Sequence, residues 1–262
     1  MTTNFFSNKV AIVTGASSGI GRATALVLAR QGASVALAAR RGDALHELAE
    51  EIKRQGGSAL AVPTDVTVKE QVEQMVRVVV ERWRRVDILV VNAGAYVRGL
   101  IVDLSPDEIQ RSFNVNFFGS VYCIKAVLPH MLAQKEGYIV AVTSMDGKIG
   151  LPLDAPYVSA KFALTGFFEV LRQELHGSGI SVTNVLPGRV DTPFVSHLEF
   201  PWISAKISPE KVARAILAGI RKRKPIVITP PEARLLYYIN VFAPSLSDRL
   251  SRYFRLEGWE RT

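Results

Sequence analysis

At 262 residues, with 48% hydrophobic and 21% charged residues, the chain has an ordinary globular balance that excludes a disordered polypeptide and leaves room for one large α/β domain or two small ones. Its single cysteine, Cys123, excludes an intrachain disulfide and fits a reducing, cytoplasmic setting. The net charge of +8 is uneven: between Lys206 and Lys224 seven Lys/Arg stand against one acid, Glu210, a local net of +6 that peaks at Arg221-Lys222-Arg223-Lys224, yet no aromatics are interleaved for base stacking, so no nucleic-acid partner is expected.

The N-terminus, MTTNFFSNKVAIVTG, lacks the basic start, apolar run and small-residue site of a signal peptide. No apolar stretch reaches the roughly 18 residues of a spanning helix, so a soluble or peripheral protein is expected. Short apolar runs then alternate with amphipathic stretches. Residues 9–13, 34–39, 58–62, 86–91, 137–142, 180–186 and 225–229 predict strands, rich in Val and Ile and apolar on both faces as a buried parallel sheet requires. Thr67-Val-Lys-Glu70 and Ser105-Pro-Asp-Glu108 have capping-box spacing, and Ser208-Pro209-Glu210 opens a further helix. The alternation predicts an α/β fold: a doubly wound parallel sheet of about seven strands with helices on both faces, a Rossmann fold in one domain over 1–229. Residues 230–262 follow as a C-terminal helical segment that is not an independent domain.

The chemistry falls at the ends of the strands. Strand 1 runs into TGASSGIG, where Gly15, Gly19 and Gly21 permit a tight turn and close approach of a pyrophosphate to a helix start. The spacing G-x-x-x-G-x-G differs from the commoner dinucleotide fingerprint. Together with Asn92-Ala93-Gly94 after strand 4, this turn resembles the classical short-chain dehydrogenase/reductase family, over residues 8 to about 229. Thr14, Gly15, Gly19 and Gly21 stand at that family's glycine motif. The resemblance implies a single-domain fold that binds NAD(H) or NADP(H), with Ser17, Ser18 and Ile20 as further cofactor contacts. It also implies contact from Asp65 and Val66 after strand 3, and from Pro187, Gly188, Val190 and Thr192 after strand 6.

Tyr157 and Lys161 lie one turn apart on a helix expected to run to about His176. A free phenol has a pKa of about 10, and a nearby ammonium lowers it toward the working pH. Ser144 precedes Tyr157 by thirteen residues, after strand 5. These three, with Asn116, match the family's catalytic residues. By that resemblance Tyr157 moves the substrate proton while hydride passes to or from the nicotinamide, and Ser144 stabilises the reacting oxygen. Lys161 tunes Tyr157 and binds the nicotinamide ribose, and Asn116 helps hold a proton-relay water. No metal is expected.

Strand 2 ends at Ala39, where NAD-preferring relatives usually carry Asp, and Arg40 and Arg41 follow. Two guanidiniums suit the 2′-phosphate of NADP(H); Arg22 is a further candidate, or a surface residue. The loops 95–100 and 145–153 and a lid carrying Phe194, Leu198, Phe200, Trp202 and Ile203 are the candidate substrate walls. Their side chains suit an apolar ketone or alcohol, or simply pack the lid; His197 reads as a surface residue. The reading is an NADP(H)-dependent interconversion of a carbonyl and a secondary alcohol; the alternative is a catalytically silent nucleotide-binding sensor or scaffold of the same fold. PIVITPPEARLL replaces the ending of many relatives, which weighs against a ketoacyl reductase role and the tetramer contacts that ending makes. A homo-oligomer, dimer or tetramer, is expected, with dimer contacts through 106–133 and 155–176. In the C-terminal segment, helices near 232–242 and 246–255 place Leu235, Ile239 and Phe242, then Leu246, Leu250 and Phe254, on apolar stripes. They fold back on the body or a partner subunit, or make peripheral membrane contact through 221–262 with Tyr237, Tyr238, Tyr253 and Trp259.

Overall fold

The computed structural model describes residues 4–204 and 206–260, without the side chain of Ile203. The strands are β1 (Val10–Thr14), β2 (Ser34–Ala39), β3 (Ser58–Pro63), β4 (Ile88–Val91), β5 (Gly137–Val142), β6 (Ile180–Pro187), β7 (Leu198–Glu199), β8 (Ile226–Thr229) and β9 (Trp259–Glu260). The helices are α1 (Gly19–Arg30), α2 (Gly42–Arg54), α3 (Lys69–Trp83), α4 (Pro106–Phe113), α5 (Gly119–Gln134), α6 (Ala155–Glu174), α7 (Pro209–Arg221), α8 (Ala233–Phe242) and α9 (Pro244–Phe254). A parallel seven-stranded sheet runs in the order β3-β2-β1-β4-β5-β6-β8. Strand order reverses between β1 and β4, and such a switch point opens a crevice beyond the carboxyl ends of the strands.

The period-2 alternation of side chains divides the core into two layers. Ala11, Val13, Val35, Leu37, Ile88 and Val90 face α1, α2 and α7, where Leu28, Leu45, Leu48, Ile52, Ile216 and Ile220 are buried. Val10, Ile12, Ala36, Leu89, Val91 and Ile139 face α3, α5 and α6 with Met75, Val79, Cys123, Ile124, Val127, Leu164 and Phe168. Covering both faces is what makes the strands read as unbroken apolar runs.

Several expectations shift. The strand expected from Val86 begins at Ile88, because the buried Asp87 carboxylate accepts the Val10 N–H at 2.8 Å and pairs with Arg85 at 2.6 Å. The capping box at Ser105 forms, and Ser208 caps α7. The one at Thr67 does not: Asp65 accepts both the Thr67 N–H at 2.9 Å and its hydroxyl at 2.7 Å, and α3 starts at Lys69 without a side-chain cap. A π-helical turn, Asn114–Phe118, joins α4 to α5 into the run Pro106–Gln134. By length and composition these 29 residues would reach across a bilayer, contrary to the sequence expectation; here Cys123, Ile124, Val127 and Met131 anchor the run in the core.

The C-terminal helices pack by a different face from the expected one. Ala233, Leu236 and Tyr237 of α8 rest on Met145, Ile149 and Leu186, and Asn240 donates to the Lys148 carbonyl at 3.1 Å. Leu235 and Phe242, on the expected apolar stripe, are exposed, so the body does not cover that stripe. Pro244 breaks α8 as expected and also occupies the first turn of α9, which buries the small Ser247 and Ser251 and leaves Leu246 exposed. Trp259 and Glu260 pair antiparallel with Glu199 and Leu198, so the tail reaches the lid. Part of the basic run is used within the body: Arg221 lies over Phe6 at 5.6 Å and Arg223 over Tyr138 at 5.2 Å.

Candidate active site

A cleft of about 370 Å³ opens at the switch point, within the range of small-molecule sites. Gly15, Ser17, Ser18, Gly19 and Ile20 form one wall; Asn92, Ala93 and Gly94 face them from the end of β4. Glycine is required where the two walls meet. Gly15 has φ of +65°, and a Cβ there would stand 2.8 Å from Asn92 Nδ2 and 2.9 Å from Ala93 Cα. At Gly19, φ +53°, a Cβ would meet Thr192 Cγ2 at 2.9 Å. The turn therefore presents bare backbone and the start of α1, a cradle that fits a pyrophosphate.

Thr14 and Gly21, expected among the cofactor contacts, lie behind this wall and do not line the cleft. The Thr14 hydroxyl accepts the Asn92 N–H at 2.9 Å and the Ala93 N–H at 3.0 Å, and so holds the two loops together. A Cβ on Gly21 would collide with the Gly15 carbonyl. Both residues shape the turn that forms this wall.

The end of the cleft beside β2 is positive. Arg40 and Arg41 follow Ala39 on the rim, and neither has an acidic partner among the described residues. Arg41 donates from Nη2 to Ser17 Oγ at 3.0 Å and from Nε at 3.3 Å, which holds its guanidinium against the glycine turn. Arg22 points elsewhere: it pairs with Glu51 of α2. Asp65 and Val66 line the same end.

At the opposite end Ser144 leaves β5, and α6 presents Tyr157 and Lys161 on one face. Lys161 Nζ donates to the Val142 carbonyl at 3.1 Å and lies 5.5 Å from the Tyr157 ring centroid. The Ser144 hydroxyl accepts the Asp146 N–H at 3.0 Å and lines the same end of the cleft as the Tyr157 phenol. The sequence implies a phenol lowered by Lys161; the net direction is upward. Burial raises it by stripping water from a phenolate, Asp146 adds to the rise, and Ser144 opposes it. Burial also pulls Lys161 down to about 8, against Asp146. Pro187, Gly188, Val190 and Thr192 close the cleft from the end of β6.

Asn116 stands in the π-helical turn, fully buried and off the cleft lining. Its Nδ2 donates to the Ala95 carbonyl at 2.8 Å and the Ser112 carbonyl at 2.9 Å, and its Oδ1 accepts the Ala95 N–H at 3.3 Å. The side chain thereby fixes the loop after Gly94. Cys123 is buried, and burial pushes its thiol up to about 12, as an inert core residue requires.

Tyr96 and Asp146, which the sequence places only within the candidate wall loops 95–100 and 145–153, also line the cleft, as does Arg189, which sequence reasoning missed. Each sat in a motif already singled out: Tyr96 two residues after Gly94, Asp146 two after Ser144, Arg189 directly after Gly188. Phe194 of the lid lines the cleft, whereas Leu198 packs inward and Trp202 is 86% exposed. Tyr96, Tyr157 and Phe194 form an aromatic triangle with centroids 5.2, 5.5 and 5.8 Å apart. His197 approaches Tyr96 at 6.3 Å.

Residues 9–200 match the short chain dehydrogenase family. The bovine dehydrogenase/reductase SDR family member 7B is 34% identical over 267 residues, spanning 94% of this chain and 81% of the relative. A short chain dehydrogenase/reductase from Burkholderia phymatum, solved in complex with NAD, has a TM-score of 0.86 at 25% identity, over 94% of this chain and 96% of its own. An actinorhodin polyketide ketoreductase variant, solved with NADPH, has a TM-score of 0.78 at 30% identity, over 84% and 95%.

Proposed function

This chain belongs to the short chain dehydrogenase family, and on that premise we propose that it is an NADP(H)-dependent oxidoreductase interconverting a carbonyl and a secondary alcohol on an apolar substrate. The observation that carries the reading is the convergence of Ser144, Tyr157 and Lys161 at one end of a cleft whose other end holds Arg40 and Arg41.

A nicotinamide cofactor bound in the cleft supplies or accepts the hydride. The chain's own residues hold it and manage the proton. Gly15, Ser17, Ser18, Gly19 and Ile20 cradle the pyrophosphate, and Arg40 and Arg41 meet the 2′-phosphate through charge-assisted hydrogen bonds. In reduction the Tyr157 hydroxyl gives its proton to the substrate oxygen; in oxidation it takes the alcohol proton. Its raised pKa keeps the phenol protonated at neutral pH, the form reduction uses. Ser144 donates to the oxygen as charge develops there. Lys161, charged below about pH 8, steadies the phenol oxygen when its proton departs. Tyr96 and Phe194 give the substrate end an aromatic wall, which supports an apolar substrate; the intact catalytic set favours turnover over a silent nucleotide sensor.

Two surfaces complete the proposal. Phe118 and Leu132 of the 114–134 run and Phe162 and Val170 of α6 are exposed, and a second copy of the chain is proposed to cover them. On α8 and its surroundings Leu235, Tyr238, Val241, Phe242 and Leu246 are exposed, and no residue of α8 is fully buried. This face is proposed to rest on a membrane surface without spanning it. A panel of apolar ketones and secondary alcohols, followed by cofactor absorbance, tests the activity: turnover supports the reading, and cofactor binding without turnover on any of them contradicts it.

A further inference from the structure

The C-terminal tail is tied to the wall of the active site through one side chain. Arg98 donates from Nη1 to the Glu257 carbonyl at 2.6 Å and from Nη2 to the Gly258 carbonyl at 2.9 Å. The same guanidinium pairs with Asp154 Oδ1 at 3.6 Å and donates from Nη1 to the Tyr96 hydroxyl at 3.3 Å. The Tyr96 hydroxyl donates to Asp154 Oδ1 at 2.6 Å, and the Tyr96 ring stands edge-on to Tyr157. Asp154 is fully buried at the N-cap of α6, the helix that carries Tyr157 in its first turn.

The tail has a second anchorage. Arg189 donates from Nη2 to the Leu256 carbonyl at 2.8 Å. β9 then pairs with β7 in the lid, and the lid returns to Tyr157 through Phe194. Gly258 makes the docking tight: φ is +73°, and a Cβ there would stand 2.6 Å from the Glu199 carbonyl and 2.7 Å from the Phe200 ring.

We propose that Arg98 is a positioning residue that couples docking of the C-terminal strap, 256–260, to the alignment of Tyr157, acting through Asp154 and Tyr96. The coupling follows from what each group needs. A buried carboxylate requires a partner, and Arg98 is the cation that pairs with Asp154. Arg98 satisfies its fork fully only while two consecutive strap carbonyls are in place. Lifting the strap frees the guanidinium to move, and moving it disturbs the Asp154 bond that fixes Tyr96 against Tyr157. Productive proton transfer tolerates little displacement of the donor, so a docked strap is a catalytic requirement. The strap is recognised through main-chain carbonyls, so its conformation matters more than its side chains. The catalytic consequence rests on the reading of Tyr157 as proton donor; the mechanical coupling does not.

Hydrogen exchange read by mass spectrometry on full-length protein tests the coupling without turnover. Arg98→Met is expected to speed exchange by about tenfold or more both in the strap and at 154–160, while β1 and β4 keep their protection. Gly258→Ala, which disturbs the strap where it packs on the lid and leaves Arg98 intact, is expected to transmit the same change to 154–160, and Arg98→Lys to restore part of what Arg98→Met loses. NADPH affinity is expected to stay within about twofold, and with phenanthrenequinone as probe ketone kcat is expected to fall about tenfold with KM little changed. Faster exchange in the strap with 154–160 unchanged would overturn the coupling and reduce Arg98 to an anchor; faster exchange across the whole sheet would overturn it in favour of general stability. If the exchange pattern fails while wild-type turnover persists, the coupling falls and the oxidoreductase reading stands; if the pattern holds without turnover, the reverse is true.

Discussion

Lys161 Nζ sits 5.5 Å from the Tyr157 ring centroid and donates its hydrogen bond to the Val142 carbonyl at the end of β5. The ammonium is thereby fixed from the sheet while the phenol it faces is carried on the helix. Ser144 lines the cleft with them from the loop that leaves the same strand. Three polar groups are held by two rigid elements, the arrangement that proton transfer between fixed partners requires.

Tyr157→Phe keeps the ring in its aromatic triangle and removes only the hydroxyl that carries the proton. Ketone reduction is expected to fall by about two to four orders of magnitude in kcat. The NADPH dissociation constant, read by fluorescence, should barely move. Retention of wild-type kcat in this variant would remove Tyr157 from the reaction.

The pH profile separates Lys161 from Tyr157. The phenol is raised and stays protonated through neutrality, whereas Lys161 loses its charge near pH 8. The kcat/KM for reduction, which reports the free enzyme, is therefore expected to be level at neutral pH and to decline above about pH 8. Lys161→Met should lower the plateau and abolish that inflection. An unchanged inflection in the variant would assign it to another group.

Asp154 gives stability an opposite pH dependence to that of an ordinary paired carboxylate. Burial raises it from 3.8 to about 6, with Asp146 adding to the rise and Tyr96, Arg98 and Arg189 opposing it. The folded state thus holds this proton more tightly than the unfolded chain. Its contribution is present below about pH 4 and is lost as pH rises toward 6, on the order of 3 kcal/mol. Urea unfolding of wild type and Asp154→Asn at points from pH 4 to pH 7 reads the difference directly. The gap should shift in the variant's favour as pH rises, and a constant gap would contradict the assignment.

Much of this site was legible in the sequence, and the limits have physical causes. Gly15, Gly19, Ser144, Tyr157 and Lys161 could be placed because strand ends and helical spacing fix where they point. For Thr14, Gly21 and Asn116 the motif marks a position as needed without saying what it does for the fold. Thr14 ties two loops, Gly21 clears the Gly15 carbonyl, and Asn116 grips Ala95. The C-terminal stripe turned the other way because amphipathic periodicity identifies two possible faces on a short helix rich in apolar residues. α8 packed Leu236 and Tyr237 and left Leu235 and Phe242 outside. The link from Arg98 to Glu257 and Gly258 spans about 160 residues of chain, and no local pattern encodes it.

Membrane docking of α8 is expected to show as co-sedimentation of full-length protein with anionic liposomes at low salt. Phe242→Asp, placed on an 81% exposed position, should release it without loss of cofactor binding. Full-length protein that stays in the supernatant, or a variant that sediments equally, would assign this face to another partner.

The most direct test of the account is cofactor choice. Arg40 and Arg41 lie at the end of the cleft beside β2, without an acidic partner among the described residues and with Arg41 held by Ser17. Steady-state reduction of one ketone with NADPH and with NADH, in wild type and in an Arg40→Ala, Arg41→Ala double variant, measures their effect. The account predicts that wild type prefers NADPH by at least about tenfold in kcat/KM, about 1.4 kcal/mol, and that the double variant loses the preference chiefly through NADPH. Equal efficiency with the two cofactors in wild type, or a preference that survives loss of both arginines, would contradict it.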